Sequence, residues 1–305
     1  MTSRRDLIKL IAVAPMVASV NPSLLANQAQ TLITKQIPST GESIPAVGMG
    51  SSQTFNVSSD NQAKENLSKV LQTFFAMGGS LIDSSPMYGL SESVIGELMA
   101  KLTPQPQVFA ASKVWTTGKQ EGIEAIAESQ KRMQVEKMDL MQVHNLRDWK
   151  IHLDTLDEYK AKGKIRYTGI TTSRLSQYDD FEQVMRDRKM DFIQLNYNIR
   201  VREAEKRLLP LAADKGIAVL VNRPYEKGRL FKAVKNTPLP EWVSEFDCHS
   251  WGQFFLKFII SHPAVTCAIP ATSKVKHMKD NMQAMSGRLP DEQMRRKMLS
   301  FIENV

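Results

Sequence analysis

The chain has 305 residues, 42% of them apolar and 24% charged, with 40 Lys and Arg against 32 Asp and Glu and a formal net charge of +8. This balance excludes a disordered or fibrous chain and allows one large core or two smaller ones. A net two of the charge comes from Arg4, Arg5, Asp6 and Lys9, and the remaining basic residues are scattered without stacked aromatics or zinc-finger spacing, so no nucleic-acid partner is indicated.

In chain order, Thr2–Lys9 comes first and resembles the twin-arginine export motif: paired Arg4 and Arg5, apolar residues, then Lys9. Leu10–Val20 is a weakly apolar run interrupted by Pro15, with small residues following around Ala26 and Ala29. The run is too short to span a bilayer, which takes about 20 residues, and it reads as a cleavable signal. Residues 1–29 are therefore expected to be a twin-arginine signal peptide cut after Ala26 or Ala29, with a periplasmic or secreted product. Failing a functional signal, the protein would stay cytoplasmic. Residues 30–305 form the folded domain. The motif resemblance implies export of an already folded protein, often with its cofactor inside.

Beyond residue 35 short apolar runs alternate with helical patterns. The candidate strands are 46–50, 80–83, 108–113, 139–144, 166–171, 192–196, 217–221 and 265–269, with little alternation, as parallel strands covered on both faces should look. Ala63, Leu67, Val70, Leu71, Phe74 and Phe75 recur at helical spacing between Asp60 and Gly78-Gly79, a cap residue and a glycine stop. Val94–Leu102, Leu153–Tyr159 and Phe181–Met185 repeat the pattern, and 291–302 predicts a last helix packed outside. The segment from Asn222 to about His249 reads as a long loop. Eight βα units in about 265 residues predict a single (β/α)8 TIM barrel. A doubly wound sheet is disfavoured, because Gly48-Met49-Gly50 is not followed by the glycine-rich dinucleotide turn. Cys248 and Cys267 have no metal spacing, Cys267 reads as a buried thiol, and a disulfide between them is left open.

Three of the runs end in chemically capable residues, Asp83, Lys113 and His144, and Tyr88 follows the first by five positions. In a barrel all strand C-termini face one mouth, so these groups should converge. Singly, each has a structural explanation: a turn-forming aspartate, a loop tyrosine, a surface lysine, a satisfied buried histidine. Together they match what carbonyl reduction requires, a proton donor beside an oxygen that gains negative charge. Tyr88 is the candidate acid/base. Lys113 is expected to lower its pKa, Asp83 to hold Lys113 charged, and neutral His144 to orient the carbonyl.

The stretches Asp83-Ser84-Ser85-Pro86-Met87-Tyr88-Gly89, Ser112-Lys113-Val114-Trp115 and Asp139–Asn145 resemble the aldo-keto reductase family, as do Tyr167–Ile170, Asp191–Gln194 and Ala268–Lys274. The resemblance covers roughly residues 35–300. It implies NAD(P)H bound in extended form across the barrel mouth, with NADP favoured and NAD possible, and a small carbonyl or alcohol substrate. By position, Thr171, Thr172 and Gln194 would meet the nicotinamide amide, and the loop from Asn222 to Arg229 with Thr272, Lys274 and His277 would hold pyrophosphate and adenosine. Asp280 and Asn281 would approach the adenine. Three positions depart from the family pattern: Thr172 where asparagine is frequent, Asn222 where an aromatic often stacks, and His277 where arginine commonly grips the extra phosphate. Met87, Trp115, Trp149 and Tyr197 are candidates for the pocket wall or for core packing.

The function this predicts is hydride transfer between NAD(P)H and an aldehyde or ketone. The alternative is a nicotinamide-binding sensor or accessory subunit acting through a protein partner, which turnover on a carbonyl panel would exclude. A metal site is not expected, because the histidines and acids form no facial triad. Export would also separate the enzyme from cofactor regeneration, so a retained cofactor cycled between two substrates is expected.

Overall fold

The computed structural model describes residues 32–305. The expected signal at residues 1–29 lies outside the described residues. The core is an eight-stranded parallel barrel: β1 Met49–Gly50, β2 Leu81–Asp83, β3 Phe109–Val114, β4 Met138–His144, β5 Ile165–Thr171, β6 Phe192–Asn196, β7 Ala218–Asn222 and β8 Cys267–Ala268. Consecutive strands pair in parallel register, for example Lys113 with Gln142 and Thr171 with Gln194. All eight expected strands are present; the first and last are shorter than expected, and they close the barrel through the bridges Val47–Ala268 and Gly50–Ala271. Closure requires glycine at Gly50, where a Cβ would lie 2.8 Å from the Ile269 carbonyl oxygen.

Helices α1 Asn61–Ala76, α2 Ser91–Met99, α3 Lys119–Met133, α4 Trp149–Ala161, α5 Tyr178–Asp187 and α6 Leu208–Asp214 follow the first six strands. The α1 helix starts where Asp60 accepts a hydrogen bond from the Ala63 amide, and its Leu67, Val70, Leu71 and Phe74 are buried. After β7 the chain is more ordered than a long loop. It forms α7 Arg229–Ala233, a 3-10 turn at Glu241–Phe246 and α8 Trp251–Ile260. The segment is held by aromatic packing: Trp242 lies 6.0 Å from Phe254 and Trp251 5.0 Å from Phe254, ring centre to ring centre. The α9 helix, Val275–Gln283, follows β8, and α10, Glu292–Glu303, is capped by Asp291.

An antiparallel ribbon, Thr34–Gln36 with Ser43–Pro45, precedes the barrel and was not expected from the sequence. Its Ile37 and Ile44 join Leu81, Phe109, Leu140, Tyr167, Phe192 and Leu220 in the barrel interior. The Tyr167 hydroxyl donates to Glu42 at 2.5 Å and lies 2.9 Å from Thr40 Oγ1, which ties the ribbon to the N-terminal end of β5. The barrel is thus closed at one end. Both cysteines are free and buried.

Candidate active site

At the other end the expected four residues come together. Burial of β2 and β3 on both faces places Asp83 and Lys113 side by side, with Lys113 fully buried and Asp83 2% exposed. Lys113 Nζ donates to Asp83 Oδ2 and to the Ser84 carbonyl, both at 2.6 Å. The second carboxylate oxygen accepts from Gln194 Nε2 at 2.8 Å and from Gln142 Nε2 at 3.3 Å. A buried ion pair is tolerated only when its remaining lone pairs are satisfied, and here they are. Burial alone would favour the neutral amine, but Asp83 and then Tyr88 outweigh it and raise the Lys113 pKa.

Tyr88 ends the 3-10 turn Pro86–Tyr88, whose start is capped by Ser85 accepting from the Met87 amide. The turn exits through Gly89 at φ 62°, where a side chain would collide with Asn56. Lys113 Nζ lies 5.1 Å from the centre of the Tyr88 ring. Lys113 does pull the Tyr88 pKa down, but burial comes first and raises it, Asp83 adds to the rise, and the pulls of Lys113 and Arg223 leave a net rise. Tyr88 is therefore a phenol held protonated beside a permanent cation.

The His144 ring meets the Tyr88 ring edge-on at 6.1 Å and 89°. Its Nδ1 shares a 3.2 Å hydrogen bond with Ser85 Oγ, and Nε2 has no hydrogen-bond partner among the described residues. Burial, then the charges of Lys113 and Arg174, pull its pKa down to about 3, so the imidazole is neutral. Trp115, 38% exposed, flanks His144 at 6.4 Å, and Met87 is 46% exposed beside Tyr88. Trp149 lines a surface cavity with Asn145, Leu146 and Gln177 instead. Tyr197 is core: it is fully buried, and its hydroxyl donates to Glu205 at 2.5 Å and accepts from Arg295 at 2.8 Å.

The model of the Aldo/keto reductase family matches residues 46–297. The chain belongs to this family. It is 26% identical over 268 residues to methylglyoxal reductase YeaE of Escherichia coli K12, spanning 85% of this chain and 92% of that protein. It is 24% identical over 286 residues to the L-galactose dehydrogenase of Arabidopsis thaliana, at 83% and 88% coverage. Among solved structures, an aldo-keto reductase from Bacillus halodurans in its holo form superposes with a TM-score of 0.72 at 20% identity, covering 89% of this chain and 96% of that one. An aldo-keto reductase from Klebsiella pneumoniae in complex with NADPH superposes with the same TM-score of 0.72 at 21% identity, covering 90% and 95%. These two share the barrel.

In this aldo-keto reductase the residues expected to meet a nicotinamide are contiguous. Thr171 Oγ1 donates to Gln194 Oε1 at 3.0 Å, and Asn222 Nδ2 donates to the Thr172 carbonyl at 3.1 Å and to Gln194 Oε1 at 3.3 Å. Thr172 Oγ1 donates to Gln177 at 2.6 Å. Gln194 thus has both ends of its amide engaged by protein. Asn222 Oδ1 is buried without a partner.

A second group lies along α9. Thr272 Oγ1 accepts from the Lys274 amide at 3.1 Å, and Asp280 accepts from Ser250 at 2.7 Å and from Gln253 at 2.8 Å. Asn281 Oδ1 accepts from the Tyr225 hydroxyl at 2.6 Å, while its Nδ2 is buried and unpartnered. Lys274 and His277 are exposed, and Arg229 is exposed and pairs with Glu226 at 3.3 Å. The Asn222–Arg229 loop therefore begins beside one orphaned acceptor, and its Tyr225 holds the residue that carries an orphaned donor. Buried polar atoms are normally satisfied, so these two fit a long ligand with hydrogen-bonding groups at both ends. Sequence reasoning missed Ser85, Tyr225, Ser250 and Gln253, which bind and orient the residues it found. Gln142 lies inside the stretch Asp139–Asn145, where an amide within a buried strand calls for a partner.

Proposed function

We propose that this chain is an NADP(H)-dependent oxidoreductase that interconverts a carbonyl compound and an alcohol, with NAD(H) as the weaker cofactor. The observation that carries the reading is the cluster itself: Lys113 Nζ lies 2.6 Å from Asp83 and 5.1 Å from the centre of the Tyr88 ring, and the His144 ring meets Tyr88 edge-on at 6.1 Å. The reduced cofactor supplies the hydride when bound. Thr171, Thr172, Gln194 and Asn222 would hold its nicotinamide end, and Thr272, Lys274, His277, Asp280, Asn281 and Arg229 its phosphate and adenosine end. The NADP preference rests on the charges of Lys274 and Lys276, while burial and then the two lysines lower the His277 pKa.

Tyr88 gives its proton to the carbonyl oxygen as charge grows there. Lys113 stabilises the resulting phenolate, and Asp83 keeps Lys113 charged and in place. His144 Nε2 directs a second hydrogen bond to the same oxygen and fixes its orientation. Methylglyoxal and related small 2-oxoaldehydes are the first substrates to assay, given the E. coli relative. In Tyr88→Phe, turnover is expected to fall at least ~100-fold with folding and NADPH binding retained. Near-native turnover would remove Tyr88 from the mechanism.

The paired Arg4 and Arg5 also support export by the twin-arginine route, and an exported reductase would retain its cofactor and cycle it between two substrates. Fractionation of the full chain should find it outside the cytoplasm and an Arg4→Lys, Arg5→Lys variant inside. An unchanged distribution would refute this part. Rapid loss of NADP from the exported protein would refute retention.

A further inference from the structure

Among the described residues, ten arginines lie within 4.0 Å of a carboxylate, including the exposed Arg207, Arg229 and Arg296. The four that form no ion pair are Arg147, Arg174, Arg200 and Arg223. They follow β4, β5, β6 and β7 in turn, one in each of four successive loops at the open mouth. Four arginines without an ion pair on four neighbouring loops add positive charge at the site opening.

Their placement is specific. Arg223 is half-buried, directly follows Asn222, and has φ 51°, the left-handed region that disfavours a residue with a Cβ. It is held there from both sides: its carbonyl accepts from Asn198 Nδ2 at 3.3 Å, and its guanidinium donates to the Ser173 carbonyl at 3.1 Å. The side chain thus reaches from the end of β7 to the loop after β5. One guanidinium nitrogen is spent on Ser173, and the remaining donors are unassigned. Arg174 begins beside the same carbonyl, its amide donating to Thr172 Oγ1 at 3.1 Å. Arg147 lies 5.1 Å from the Trp115 ring centre, and Trp115 flanks His144. The charges reach the reacting groups: Arg223 acts on Tyr88, and Arg174 on His144.

We infer that the mouth is built for a carbonyl substrate carrying a carboxylate close to the reacting carbon, a 2-oxo acid or similar acid, with Arg223 gripping the carboxylate and Arg174 supporting it. The inference rests on the reductase reading for the carbonyl, and on the arginines alone for the anion. With the carbonyl oxygen at Tyr88 and His144, the adjacent carboxylate would be met by Arg223 at the end of β7 and Arg174 in the loop after β5. Two donors from one guanidinium match a carboxylate in geometry as well as charge. Met87 and Trp115 leave an apolar wall for the rest of the substrate.

The test compares phenylglyoxylate with its neutral methyl ester, using NADPH and the full chain. The wild type should favour the acid in kcat/KM, and in Arg223→Gln the acid-to-ester ratio should fall by roughly 10- to 100-fold, the span of one charge-assisted hydrogen bond. An unchanged ratio overturns the inference. An NADPH Kd raised by ~10-fold or more with an unchanged ratio also overturns it and assigns Arg223 to the cofactor's phosphates. Arg174→Gln, at an exposed position, gives a second reading if Arg223→Gln does not fold; its ratio should drop by about 3- to 10-fold, and no drop counts against the site. If neither compound turns over, calorimetry with oxamate decides. Binding that weakens in Arg223→Gln upholds the anion site and sinks only the reductase reading, whereas binding indifferent to Arg223 sinks the site.

Discussion

The two ends of the barrel are built from the same strands and differ in how completely their polar groups are used. At the closed end, Arg166 pairs with Asp139 at 2.6 Å and also with Glu42, while Asp139 accepts from the Ala110 amide at 2.7 Å. Asp191 likewise takes Lys160 at 2.6 Å and the Thr168 amide at 2.9 Å. At the open end, Asn222 Oδ1 and Asn281 Nδ2 are buried without a hydrogen-bond partner, and four arginines form no ion pair among the described residues. Left-handed backbone is also found there, at Asn145, Leu146, Arg223 and Glu226. Buried polar atoms without a partner also occur in the helices, at Ser129 Oγ and His152 Nδ1, so Asn222 Oδ1 and Asn281 Nδ2 point to a ligand by their place at the open end, Asn222 beside Gln194.

The largest expected effect comes from removing the cation at the open end. Lys113→Met should cut turnover by about 1000-fold and lower stability by roughly 3–5 kcal/mol, since Asp83 is left buried without its counter-charge. Gln194 and Gln142 continue to solvate the carboxylate and hold the loss toward the lower figure. Steady-state kinetics and urea denaturation measure the two effects, and near-native turnover would contradict the role given to Lys113. The closed end should answer in stability alone. Ile44, 2% exposed, plugs the barrel interior, and Ile44→Ala should cost about 2–4 kcal/mol while the folded fraction turns over at the wild-type rate. A variant that slowed catalysis as much as it weakened the fold would mean that the two ends are coupled.

How much of this was legible in the sequence follows the same division. The eight strands were legible because each is a short apolar run buried on both faces, and Asp83, Lys113 and His144 because each ends such a run. The ribbon was not: Thr34–Gln36 and Ser43–Pro45 are short and mostly polar, and only Ile37 and Ile44 reach the core. Tyr197 was offered for the pocket, but the two-residue period of a strand puts it with Leu195 on the outer face, opposite Gln194. The pull of Lys113 on Tyr88 could be read from sequence order, while the depth of burial that outweighs it could not. Ion pairing is tertiary as well, so the unpaired arginines could be recognised only after the other arginines had been seen with their partners.

A smaller effect is expected at Asn222. Its Nδ2 makes two hydrogen bonds to protein and its Oδ1 makes none, so part of its polar capacity is available to a ligand. Asn222→Ala should weaken NADPH binding by about 10-fold and cost no more than about 1 kcal/mol of stability. A Kd unchanged by this substitution would separate Asn222 from the cofactor and leave its orphaned oxygen unexplained. A stability loss exceeding the affinity loss would place it with the closed end, as a residue of the scaffold.

The smallest effect separates the two ends by pH. Burial pulls His144 at the mouth down to about 3 and His262, in the loop before β8 at the closed end, down to about 4. Both are neutral in the folded chain, and each would take up a proton in the unfolded chain below about pH 6.5. The unfolded state therefore binds more protons as the pH falls, so stability is complete above pH 6.5 and declines toward the folded values. Between pH 6.5 and 5.5 His144 should remove about 1 kcal/mol, and the more exposed His262 less. Urea midpoints across this window measure the slope before most carboxylates titrate. His262→Gln should flatten its part of the slope with turnover retained, whereas His144→Gln should flatten the larger part and slow turnover. A slope indifferent to both substitutions would mean that neither imidazole is held neutral, and the hydrogen bond assigned to His144 in carbonyl orientation would lose its basis.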